Sequence, residues 1–180
     1  MKIRNSIFIL FAIFLVSCKK EIIKPKIEYN QKANQLIQQL ISEENCGCIL
    51  EIPKESLIEI QKLENPNSNF EKIYIRKLSL QNRNELDSLD KLSKNFKFEE
   101  KYLKKNNIKL IKRSSIRELE KGVTFFSKTC RNSFKYFIKP IFNKEFNKAI
   151  INYGSVGLHG ELGMKFFEYK NNKWMIKNGS

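Results

Sequence analysis

The sequence predicts an α+β fold, with N-terminal helices packed on a C-terminal antiparallel β-meander of three or four strands. Two observations carry that reading. In the first half, apolar residues fall in stripes spaced three and four apart, the period of a helix with one buried face. The last third carries aromatic and β-branched segments divided by turn residues, and helices followed by strands is the order of the α+β class. Of the 180 residues, 28–180 read as one domain, because 41% hydrophobic and 12% aromatic content excludes a disordered chain and the length suits a single core.

Residues 28–44 form an amphipathic helix, with Ala33, Leu36, Ile37, Leu40 and Ile41 on one stripe. Cys46-Gly47-Cys48 ends it, the glycine suiting a left-handed C-terminal turn. A short strand is expected at 49–52, closed by Pro53, which has no N–H for a ladder. Residues 54–63 carry Leu57, Ile58, Ile60 and Leu63 and read as a second helix, and 65–69 are a loop by composition. Residues 70–80 alternate, with Ile73 and Ile75 and then Leu78 and Leu80 among charges, which predicts a strand. Asn84 is the expected cap of a helix to residue 96 with Leu86, Leu89 and Leu92 inward. Residues 98–103 continue it or begin a new turn. Ser115 and Glu118 have the spacing of a capping box for a brief helix through Leu119, ended by Gly122. The meander follows at 134–142, 146–153, 162–169 and 174–177. Its last connection is residues 170–173, where Asn171 and Asn172 tolerate positive φ.

The N-terminus reads as an export signal. Lys2 and Arg4 precede an apolar run at 6–16, about 11 residues where a membrane-crossing helix needs roughly 20. Leu15-Val16-Ser17-Cys18 then resembles the lipobox of bacterial lipoproteins. That resemblance implies cleavage before Cys18, a diacylglycerol on its thiol and an acyl chain on its new amine. Several acyl chains on one residue meet the requirement of more than one lipid for stable attachment. Residues 1–17 are then the signal peptide, 18–27 the lipidated cysteine with a polar tether, and the mature chain is anchored to a membrane. Lys19 differs from the Asp that keeps enterobacterial lipoproteins at the inner membrane, so the outer membrane of the cell envelope is the expected location.

The formal net charge is +15. Nucleic acid is not the expected partner. With 28 Lys, 23 Ile and 19 Asn against 3 Ala and 7 Gly, the lysine excess follows a preference for AT-rich codons. The sequence also lacks the aromatic-and-glycine platform of RNA-binding sheets. The distribution is more informative: residues 51–96 hold 8 basic and 8 acidic groups, residues 97–148 hold 15 and 5. Lys101, Lys104, Lys105, Lys109, Lys112, Arg113 and Arg117 form the densest block. Such a block suits anionic lipid headgroups or acidic glycans, at about 1 kcal/mol per basic residue near an anionic surface. A solvated face without a partner is its commoner meaning.

Three cysteines follow the anchor: Cys46, Cys48 and Cys130. In an oxidising compartment a disulfide is the default. A Cys46–Cys48 ring is tight, so Cys130 is expected to pair with one of the two, leaving one thiol over. The loop so closed spans more than 80 residues and stabilises by about 4 kcal/mol in the chain-entropy account. An alternative is a metal-handling or redox site, in which Cys46, Cys48, Cys130 and His159 offer three thiolates and an imidazole to zinc or copper(I). Their spacing matches no zinc module, and no metal or cofactor is expected. His159 is the sole histidine, and with Glu161 in the glycine-rich turn at 157–163 it is the place a histidine-dependent hydrolase would use. No phosphate loop, HExxH or GxSxG motif occurs. Glu43-Glu44 and Glu99-Glu100 point apart on a helix and read as surface, whereas Phe125-Phe126 and Phe166-Phe167 read as core.

Three stretches, Ile138-Lys139-Pro140-Ile141-Phe142-Asn143-Lys144, Lys148-Ala149-Ile150-Ile151-Asn152-Tyr153-Gly154 and Lys170-Asn171-Asn172-Lys173-Trp174, bracket the glycine-studded turn. Together they resemble the C-terminal part of uncharacterised lipoproteins from Bacteroidetes-type bacteria. The resemblance implies a β-meander ending in a tryptophan strand and no activity. Those relatives often carry cysteines around the glycine turn, where this chain has Val156 and His159. The expectation is a non-enzymatic binding or structural module of the envelope, with no catalytic residue.

Overall fold

A computed structural model describes residues 20–44, 47–115, 130, 134–156 and 162–177. The first helix, α1, is Lys20–Glu43. Tyr29, Ala33, Leu36, Ile37, Leu40 and Ile41 lie on its inner face, none more than 3% exposed, so the expected stripe holds and extends to Tyr29. The helix starts at Lys20 rather than at residue 28 and contains Pro25, so the second part of the stretch read as a tether is helical. Pro25 forfeits one intrahelical hydrogen bond ahead of the first inward residue.

The second helix, α2, is Leu57–Glu64, and it begins with a reciprocal cap. The Glu59 N–H donates to Ser56 Oγ at 3.2 Å, and the Ser56 N–H donates to the Glu59 carboxylate at 2.9 Å. Residues 70–80 overturn the expected strand. They form helix α3, Phe70–Leu78, with Phe70, Tyr74 and Leu78 buried and Ile73 42% exposed. Both periods are present in that stretch, and the helical one wins because it buries two aromatic rings where alternation would bury isoleucines. Helix α4, Arg83–Ser93, is capped by Asn82 and not by Asn84: Asn82 Oδ1 accepts from the Glu85 N–H at 3.1 Å. Residue 96 lies beyond its end, and α5, Glu100–Lys105, is a separate helix.

Strands β1 (Cys48–Leu50), β2 (Lys109–Ile111), β3 (Phe134–Phe137), β4 (Ile141–Phe142), β5 (Lys148–Val156), β6 (Leu162–Lys170) and β7 (Lys173–Ile176) form one mixed sheet. The order is β2-β1-β3-β5-β6-β7, with β4 also paired to β5. The class is α+β, and the strand count exceeds the three or four expected. Residues 134–142 supply two strands, both antiparallel to β5. The parallel strands β1 and β2 extend the sheet beyond the meander. The expected hairpin stands at β6–β7, where Asn171 and Asn172 have φ of 50° and 61°. A 3-10 turn, Arg113–Ser115, follows β2. Glu118, Leu119 and Gly122 lie outside the described residues.

Both faces of the sheet are covered. Ile49, Phe137, Phe142, Ala149, Ile151, Tyr153, Phe167 and Trp174 pack with α1 on one side. Ile138, Ile141 and Ile150 pack with α2, α3 and α4 on the other. Residues 149, 150 and 151 alternate between the layers as the two-residue strand period requires. Phe167 is core and Phe166 half-buried, while Phe125 and Phe126 lie outside the described residues. A smaller core of Leu50, Ile111 and Phe134 surrounds a Cys48–Cys130 disulfide. The sequence left two partners open for Cys130, and burial of Cys48 in β1 decides between them. The bond spans 82 residues, which in the chain-entropy account stabilises by about 4 kcal/mol. Cys48→Ser or Cys130→Ser is expected to abolish the two-hydrogen mass gain on reduction and to lower urea stability by that order. Cys46→Ser is expected to retain both the mass gain and the stability.

Candidate functional site

Two asparagines on α1 build one wall of a groove. Asn30 Oδ1 accepts from the Lys97 N–H at 2.8 Å, Asn34 Nδ2 donates to Lys97 O at 3.0 Å, and Asn34 Oδ1 accepts from the Glu99 N–H at 2.8 Å. These side chains give residues 97–99 the backbone partners that a neighbouring strand would supply. The segment is thereby held extended, with Phe96 and Phe98 packed on the α1 core. The Tyr102 hydroxyl donates to Gln38 O at 3.1 Å and docks α5 on the same helix.

Between this segment and β1 lies an open cavity of about 600 Å³. Its apolar lining includes Ile49, Ile52, Phe96, Phe98 and Leu110, and its rim carries Lys54, Lys94, Lys97 and Lys139 against Glu51 and Glu100. Lys139, which follows β3, is only 5% exposed. Its Nζ donates to Lys54 O. Burial pushes its pKa below the usual lysine value, and Glu55, Glu59 and Asp90 pull it partly back.

Asp90 of α4 lies behind this wall, 7% exposed. Its Oδ2 accepts from Ser56 Oγ at 2.8 Å, and its Oδ1 has no hydrogen-bond partner among the described residues. Burial pushes this carboxyl above the usual range, outweighing the Ser56 hydrogen bond and the Lys94 charge. Ser56 is itself fully buried, so the Ser56–Asp90 pair cannot meet a substrate as nucleophile and base. The groove combines apolar surface with a rim of cations and carboxylates.

The sequence-predicted basic block divides. Lys101, Lys104, Lys105, Lys109 and Lys112 are exposed on and beside α5 and β2, and none has a carboxylate within 4 Å among the described residues. Arg113 is instead turned onto the fold: Nε donates to Glu51 O at 2.9 Å, the backbone N–H to the Glu51 carboxylate at 3.3 Å, and the guanidinium sits 5.3 Å from the Tyr136 ring centre. Arg117, Cys18, Cys46, His159 and Glu161 lie outside the described residues. With Cys48 and Cys130 joined, two sulfurs of the proposed four-ligand metal set are not thiolates. Among the described residues no group of three His, Cys, Asp or Glu is placed to hold a metal. Glu43, Glu44, Glu99 and Glu100 are exposed as expected, and Glu44 pairs with Lys135.

The groove itself was missed in the sequence. Its one available signal is Lys139, a lone charge inside the apolar run Ile138–Phe142. Compared with protein-family models, curated proteins and solved structures, the chain has no match. No helix among the described residues is long and apolar enough to cross a membrane.

The two buried charges give opposite pH signatures. Between the usual carboxylate pKa and its raised value, the folded chain holds the Asp90 proton more tightly than the unfolded one, so stability falls as pH rises there. Between the lowered and usual lysine values, the folded chain holds the Lys139 proton less tightly, so stability rises with pH. Asp90→Asn is expected to remove that fall and so raise the slope of urea midpoint against pH in the acid range. Lys139→Met is expected to remove that rise and so lower the slope in the alkaline range, and to leave the neutral midpoint at or above the parent's, since a buried charge is replaced by an apolar side chain of similar length.

Proposed function

We propose that the protein is an exported, lipid-anchored binding module of the bacterial cell envelope, tethered at Cys18 and non-enzymatic, that meets an anionic surface of lipid headgroups or acidic glycans. The observation that carries this reading is the exposed set Lys101, Lys104, Lys105, Lys109 and Lys112, which has no carboxylate partners among the described residues. The buried Leu103 and Ile111 fix the α5–β2 stretch to the core, so these ammonium groups project from a rigid support. At about 1 kcal/mol each near an anionic surface, five supply useful affinity on top of a lipid anchor. Lys109 also suits the edge position of β2, where a charge deters pairing with another chain. The short apolar run at 6–16 and the Leu15–Cys18 lipobox support the anchor.

The anchor is tested by mass spectrometry of the protein extracted from membranes. A chain starting at Cys18 with added diacylglycerol and acyl mass is expected, and an unmodified N-terminal peptide overturns that part. For the surface, neutral phosphatidylcholine vesicles carrying the lipidated protein are expected to capture phosphatidylglycerol vesicles or acidic-glycan beads at low salt and release them at high salt. Lys104→Glu with Lys105→Glu and Lys109→Glu is expected to weaken capture at least tenfold. Equal capture at both salt concentrations sinks the surface reading.

A further inference from the structure

The groove beside β1 combines features that a solvated surface does not require. Leu110 lines it, is 38% exposed, and stands in register with the buried Ile49 on β1. Phe96 and Phe98 continue the apolar lining from the opposite wall. The Lys139 ammonium closes one side. It has three protons to donate, and among the described residues its one hydrogen-bond acceptor is the Lys54 carbonyl. Holding an ammonium at 5% exposure is unfavourable unless charge or hydrogen bonds compensate it. The nearby Glu59 carboxylate is already engaged by Lys94 at 2.5 Å. With Lys94 taken up by Glu59, Lys54, Lys97 and Lys139 stand against Glu51 and Glu100 on the lining, and of these cations Lys139 is the buried one. The cavity, about 600 Å³, falls in the range of small-molecule sites.

We propose that this groove binds a small molecule with an apolar body and a single carboxylate, the body against Phe96, Phe98 and Leu110 and the carboxylate at Lys139. Charge complementarity selects the anion, and the apolar lining selects the body. The ligand would supply acceptors beyond the Lys54 carbonyl, which accounts for a buried lysine where methionine would fill the same space. The site is separate from the exposed lysines of α5 and β2 and stands or falls without them.

The test uses the full lipidated protein in phosphatidylcholine nanodiscs, dialysed to equilibrium against naphthoate, with protein-free discs subtracting partition into lipid. Saturable one-to-one binding is expected. Lys139→Met is expected to weaken it at least tenfold while the unfolding midpoint stays at or above the parent's. Lys97→Glu, at an exposed position whose side chain the core does not need, is expected to weaken it several-fold. Naphthalene methanol, which keeps the body and removes the charge, is expected to bind at least tenfold more weakly than naphthoate. Absence of saturable binding, equal affinity in Lys139→Met, or equal affinity for the uncharged analogue would each overturn the assignment.

Discussion

Everything else in this molecule hangs on the burial of one face of α1. Six side chains from Tyr29 to Ile41 are almost completely removed from water, at about 1.5–3 kcal/mol for each of the larger ones. Single hydrogen bonds contribute about 1 kcal/mol, so the apolar face decides that α1 lies on the sheet. The hydrogen bonds then decide the alignment of whatever touches it. Gln39 receives the Trp174 N–H at 2.9 Å and donates to Trp174 O at 2.7 Å, pairing with the outermost strand through a side chain. The Tyr29 hydroxyl donates to Pro140 O at 2.7 Å, just beyond Lys139. Asn30 and Asn34 set the groove wall. One helix thus positions both the sheet edge and the candidate ligand site.

The elements legible in the sequence are those whose pattern is local. The stripe of α1 repeats for several turns, and the Asn171-Asn172 connection declares its own backbone. Residues 70–80 were misread because Ile73 and Ile75 alternate among charges while Phe70, Tyr74 and Leu78 keep a helical period. Two periods share eleven positions, and only the neighbouring layer selects one. Strands β1 and β2 have three residues each, too few for any period, and their parallel pairing depends on the helices folded between them. The disulfide partner stayed open because Cys46 and Cys48 differ by two positions, a distinction made by which residue enters β1. The groove was illegible for a related reason: its walls come from distant segments, and Lys139 resembles an interruption in an apolar strand until the cavity beside it is seen.

The stretch through α5 and β2 is two-sided. Glu100 and Leu110 face the groove, whereas Lys101, Lys104, Lys105 and Lys109 are exposed. Alternation along β2 puts Leu110 on one face and Lys109 and Ile111 on the other, Ile111 joining the small core around the disulfide. Some lysines elsewhere are paired. Lys62, Lys94, Lys144, Lys170 and Lys177 each approach a carboxylate within 4 Å. Lys170 and Lys177 hold the Glu168 carboxyl down at about 2 by hydrogen bonding, although such surface pairs add little to stability.

The contact between Gln39 and Trp174 joins residues 135 positions apart, and it sets an order in time. A chain made from its N-terminus completes α1 early and its covering strands last. Until the last third of the chain appears, the apolar stripe of α1 lacks most of the sheet it lies on, and closing so long a loop must precede the gain from burying it. Folding is accordingly an event of the finished polypeptide rather than a process that keeps pace with synthesis. A chain cut short before Trp174 loses β7 and both Gln39 hydrogen bonds and uncovers part of the α1 stripe, the kind of surface that chaperones and proteases recognise.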